Sequence, residues 1–80
     1  MKVRFYGKLA EVLGPERCLE IDTPCTLAEL RGRLAAECPE AAEALASERV
    51  RASVGDELVP DSHVVHPGEA VELLAPVSGG

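Results

Sequence analysis

Eighty residues, 46% hydrophobic and 28% charged, describe one small domain whose modest core leaves little volume for an enclosed active site. A carrier or binding module fits this size better than a self-contained enzyme. The formal net charge of −6, with Phe5 and Tyr6 the only aromatics, argues against nucleic acid or an anionic membrane as partner, because both attract clustered Lys and Arg and bases need stacking surfaces.

Met1 to Tyr6 interrupts its apolar residues with charge, so it lacks a signal-peptide core, and no aliphatic run approaches the length of a membrane span. The expected location is cytoplasmic. Cys18, Cys25 and Cys38 cannot all pair within one chain and none lies in a C-x-x-C; reduced thiols are expected.

Val3 and Phe5 alternate with Lys2, Arg4 and Tyr6, the period-two pattern of a half-buried strand. Gly7 breaks it, and Leu9, Val12 and Leu13 follow at helical spacing until Gly14-Pro15. Residues 17–22 alternate again, with Leu19 and Ile21 inward and Cys18, Glu20 and Asp22 outward. The connector is short, so the two strands are expected to be antiparallel.

A loop over 23–25 leads to the clearest helix start in the chain. Thr26-Leu27-Ala28-Glu29 is a capping box, in which the hydroxyl and carboxylate satisfy backbone amides reciprocally. Leu27, Leu30, Leu34 and Cys38 share one face of that helix. Gly32 costs it about 1 kcal/mol relative to Ala, and Pro39 ends it while opening a second helical turn through Ala41, Ala42 and Leu45. Val50, Ala52 and Val54 make a third strand, Gly55-Asp56-Glu57 a turn, and Leu58-Val59 a short strand. Residues 60–66 read as a loop and Pro67-Gly68 as a turn. The last strand covers 70–75, with Val71, Leu73 and Ala75 on one face and Glu72 and Leu74 on the other.

A hairpin, a capped crossover helix and a strand returning beside the first predict an α+β fold. It has a mixed sheet of four to five strands, the main helix on one face, and the first and last strands adjacent at the centre. That is the β-grasp arrangement, here over residues 1–75.

The remaining segment, Pro76-Val77-Ser78-Gly79-Gly80, is expected to be a flexible tail. Pro76 cannot continue a sheet ladder, and two glycines carry no side chain and the greatest backbone freedom. Five residues reach at most about 18 Å, enough to thread a narrow tunnel and place the Gly80 carboxylate in a partner's active site. An ionised carboxylate is a poor electrophile, so a reaction there needs prior activation, for which an acyl-adenylate made from ATP is the obvious route.

The stretch from Gly68 through Ala75 to Pro76-Val77-Ser78-Gly79-Gly80 resembles the end of the small subunit of molybdopterin synthase. The resemblance continues in Val3-Arg4-Phe5-Tyr6-Gly7, in Leu9 to Gly14 and in Thr26-Leu27-Ala28-Glu29-Leu30, and so spans essentially the whole chain. It implies a ubiquitin-like sulfur carrier with no bound cofactor. In that family the terminal glycine, here Gly80 reached through Gly79, is adenylated by a ubiquitin-activating-type adenylyltransferase using ATP. It then receives sulfur from a donor protein as a thiocarboxylate. The tail inserts into the large synthase subunit, where its sulfur goes to cyclic pyranopterin monophosphate to build the dithiolene of the molybdenum cofactor. Such a chain is the non-catalytic, sulfur-donating subunit of an enzyme.

Relatives often carry aromatics before the terminal Pro, where this chain has Leu73, Leu74 and Ala75, so the partner-facing patch is expected to be aliphatic. Leu74 is either a second-face packing residue or an interface anchor, and Pro76, Val77 and Ser78 are partner-binding candidates beside it. Alternative readings are a related carrier for thiamine or cysteine synthesis, a protein modifier, and a non-reactive interaction module. His63 and His66 read as solvated histidines rather than metal ligands, Cys38 as a core residue, and Cys18 and Cys25 as exposed incidental thiols. Glu37, Glu40, Glu43 and Glu48 read as a solvated helical face.

Overall fold

The computed structural model describes residues 1–75. Strand β1 (Lys2–Tyr6) buries Val3 and Phe5 and exposes the residues between them. Helix α1 (Lys8–Leu13) follows, then β2 (Glu16–Cys18), β3 (Cys25–Thr26), helix α2 (Leu27–Glu37), a 3₁₀ turn (Pro39–Ala41) and α3 (Ala42–Ala46). The chain closes with β4 (Arg51–Val54), β5 (Glu57–Val59), β6 (Val64–Val65) and β7 (Val71–Leu74).

Five strands form one mixed sheet in the order β2-β1-β7-β4-β5. The first and last strands pair in parallel, Val3 beside Val71 and Tyr6 beside Leu74, while β2 and β4 flank them antiparallel. The expected α+β, β-grasp architecture is present, with β7 at its centre. Inward Val3, Phe5, Val71 and Leu73 meet Leu27, Leu30 and Leu34 of α2 in one core. Burying each such side chain is worth about 1.5–3 kcal/mol, so the sheet's inner face holds the helix despite the exposed Gly32.

The capping box at Thr26 forms as expected: Glu29 N–H donates to Thr26 Oγ1 at 3.1 Å and Thr26 N–H to Glu29 Oε1 at 3.0 Å. The Thr26 N–H, and after it the Thr26 hydroxyl, donate to the Glu29 carboxylate and favour the anion, so its carboxyl sits below its ordinary pKa. Two more first-turn amides find partners the sequence did not reveal. Leu27 N–H donates to His63 O and Ala28 N–H to Asp61 O, both at 3.0 Å. The segment read as a loop over 60–66 therefore contains β6, which pairs antiparallel with β3 as a second, two-stranded sheet at the head of α2.

Other expectations change in detail. The second strand stops at Cys18, although Leu19 is buried and exchanges backbone hydrogen bonds with Met1 at 2.7 and 2.8 Å. In the short α1, Leu9 alone is buried, and Val12, expected inward, is 47% exposed. Cys25, expected at the surface, is buried where β3 pairs with β6, beside Val65. Between β4 and β5, Gly55 (φ 59°) and Asp56 (φ 66°) both have positive φ, the backbone of a two-residue hairpin turn. No helix among the described residues is long and apolar enough to cross a membrane.

Candidate functional site

Alternation along β7 sends Val71 and Leu73 into the core and leaves Glu72 and Leu74 on the sheet's helix-free face. Leu74 is the last residue of the central strand, and the ladder runs one residue further through Ala75 N–H to Tyr6 O at 3.2 Å. It is half-buried between its register neighbours Tyr6 on β1 and Arg51 on β4. Leu74 packs against these neighbours and still presents part of its surface on the open face. The other tail candidates, Pro76, Val77, Ser78, Gly79 and Gly80, lie outside the described residues.

Around Leu74 the open face carries residues that sequence reasoning passed over. Tyr6 is 42% exposed and Leu58 of β5 is 58% exposed. In the next row, Glu72 lies beside Arg4 of β1 and Ser53 of β4, and Ser53 lies beside Leu58. Tyr6 Oη donates to Glu72 Oε2 and Ser53 Oγ to Glu72 Oε1, each at 3.1 Å. Ser53 is a buried polar residue, and this bond satisfies its hydroxyl. Strand phase would have placed each of these side chains outward, but their adjacency depends on strand order.

Charge is distributed unevenly over the molecule. Lys2, Arg4 and Arg51 stand exposed on the open sheet face, with Glu16 lying 3.6 Å from Lys2 Nζ and 3.9 Å from Arg4 Nε. The helical side presents Glu37, Glu40, Glu43 and Glu48, all exposed. In a chain of net charge −6, three of the eight Lys and Arg residues thus stand beside the strand that leads to the tail.

Among the described residues no group of three or more His, Cys, Asp or Glu is placed to hold a metal ion. Cys38 is buried at the end of the α2 stripe and accepts a hydrogen bond from Arg17 Nη1. Burial, followed by the Glu29 charge, pushes the Cys25 thiol above its ordinary pKa, away from thiolate chemistry. Cys18 is exposed. Leu74 lines neither the surface cleft of about 400 Å³ bounded by Arg31, Arg51, Leu58 and Asp61 nor that of about 490 Å³ beside Leu19 and Arg33.

Comparison with solved structures finds the same fold in several small proteins. SAMP1 from Haloferax volcanii superposes with a TM-score of 0.84 at 20% identity, over 99% of this chain and 97% of that one. A H. volcanii small archaeal modifier protein 1 structure gives 0.81 at 17% identity, covering 95% of each chain. A protein from Pyrococcus furiosus described as molybdopterin converting factor, subunit 1, gives 0.76 at 16% identity, also over 95% of each. No curated protein sequence matches the chain. The sequence model of the ThiS family matches residues 3–80, which include the Gly79-Gly80 ending. With a ubiquitin-like β-grasp body and a family match over nearly its full length, the chain belongs to the ThiS family.

Proposed function

We propose that this chain is a sulfur carrier working through the carboxylate of Gly80, and that it serves as the small subunit of a molybdopterin synthase. The observation that carries the reading is the Pro76-Val77-Ser78-Gly79-Gly80 segment, which follows directly from the central strand beside the Leu74–Tyr6 patch. The ThiS-family match and the likeness to the P. furiosus protein support it.

In this reading a ubiquitin-activating-type adenylyltransferase docks on the open sheet face. The Gly80 carboxylate displaces pyrophosphate from ATP, and AMP then becomes the leaving group for sulfur brought by a donor protein. Sulfur in place of one carboxylate oxygen is a softer, more nucleophilic atom that stays tethered, so it never diffuses as sulfide. The tether supplies effective concentration at the large subunit, whose pocket provides the acid–base groups. No side chain of the small chain needs to react.

Intact mass after co-expression with the adenylyltransferase and a sulfur donor is the test. The expected product has one oxygen exchanged for sulfur at the C-terminus, and in the presence of the large subunit and the pterin precursor it yields dithiolene. An unchanged mass, or full activity after the Gly80 carboxyl is blocked as an amide, would refute the reading. The likeness to the H. volcanii small archaeal modifier favours a second role, conjugation to lysines. Its signature would be a ladder of lysine-linked conjugates in place of, or beside, the thiocarboxylate.

A further inference from the structure

We infer that Glu72 is a specificity-determining contact of the open sheet face, held ready to receive an arginine from the docking adenylyltransferase. The inference rests on the docking role proposed above and adds the chemistry by which the partner is recognised.

Glu72 occupies the centre of the face, on the middle strand, and is half-buried. Each of its carboxylate oxygens accepts one hydrogen bond from a neutral hydroxyl, Tyr6 Oη on one side and Ser53 Oγ on the other. These bonds come from the two flanking strands and fix the carboxylate's rotamer and plane before any partner arrives. A carboxylate offers about four acceptor positions, so each oxygen keeps one free. Two parallel acceptors on a fixed plane match the fork of a guanidinium better than the point charge of an ammonium.

The energetics point the same way. The two hydroxyl bonds leave the half-buried carboxylate without a charge partner, since no cation lies within 4.0 Å of Glu72 among the described residues, and a hydrogen bond between two charged groups is among the strongest available to it. Arg4, its register neighbour, has its Nε near Glu16 instead. Arg4 on one side and Arg51 in the next row leave the carboxylate as an acidic spot between cationic flanks. The complementary surface is an arginine flanked by carboxylates. A partner lacking that order would set like charges against each other, which is how such patterns reject wrong partners.

The test measures binding of the purified adenylyltransferase, without nucleotide, to wild type, Leu74→Glu, Glu72→Gln, Tyr6→Phe and Ser53→Ala, with thermal unfolding run on each to confirm folding. Glu72→Gln is expected to weaken binding by about tenfold or more and to reduce its dependence on ionic strength. Tyr6→Phe and Ser53→Ala, which free the carboxylate to turn, are expected to weaken binding by roughly a few-fold with the salt dependence retained. If Leu74→Glu abolishes binding but Glu72→Gln binds with wild-type affinity and salt dependence, the face docks and Glu72 is only a partner for Ser53; this inference is then overturned while the proposed function stands. If wild type does not bind, or Leu74→Glu binds equally well, the docking role fails and this inference with it.

Discussion

Gly32 lies on the exposed side of α2, where a Cβ would meet nothing within 4 Å. Helical glycine costs about 0.8–1.0 kcal/mol relative to alanine. Gly32→Ala is accordingly expected to stabilise the fold by nearly that amount, read as a higher urea midpoint at unchanged slope. Glu29 makes a pH-dependent contribution of defined sign. Its pKa is lowered in the folded state by the Thr26 hydrogen bonds, so its stabilisation is present above the unfolded carboxylate value, roughly pH 4.3. It is lost as pH falls through the lower folded value. A pH series of thermal unfolding should show this loss, and Glu29→Gln should flatten it. Both residues were legible in the sequence, because helix propensity and the capping box depend only on neighbours along the chain.

At the scale of elements, the join between α2, α3 and β4 depends on Arg31, which no sequence pattern singled out. Its guanidinium donates to Leu45 O at 2.9 Å, Ser47 O at 3.3 Å and Val50 O, pairing carbonyls in the last turn of α3 and in the segment after it. Its Nε lies 3.0 Å from Asp61 Oδ1, in a charge contact not aligned as a hydrogen bond. Arg31→Met keeps the apolar stem but leaves several carbonyls unpaired, and is expected to cost about 2 kcal/mol in urea unfolding. A loss below a few tenths of a kcal/mol would show that water replaces the guanidinium. The β3–β6 pair was equally illegible: two-residue strands have no period to detect, and they exist because the head of α2 needs acceptors that the 60–66 segment supplies.

For the whole molecule, the contrast between an acidic helical side and a sheet face bearing Lys2, Arg4 and Arg51 orients any partner of suitable charge during encounter. Leu74→Glu puts a carboxylate at the end of the central strand on that face without entering the core. It is expected to reduce partner affinity by at least tenfold while lowering stability by less than about 1 kcal/mol, measured by calorimetry and urea unfolding on the same sample. Removal of Gly79 and Gly80 is expected to abolish sulfur loading by intact mass and to leave the thermal midpoint within error, since glycines bring no side chain to a core.

The sequence by itself determined the α+β class, the capped helix with its Leu27–Leu30–Leu34–Cys38 stripe, and the adjacency of the first and last strands. It also singled out the glycine ending that the family match covers. These features rest on local periodicity, capping chemistry and chain order, all of which are read along the chain. Only the tertiary structure decided which outward residues stand together. Tyr6, Ser53 and Glu72 are far apart in sequence and meet because β7 inserts between β1 and β4. The burial of Cys25 and the exposure of Val12 were settled in the same way. Periodicity assigns a side chain to a face, but what covers that face is set by elements that pack from elsewhere in the chain.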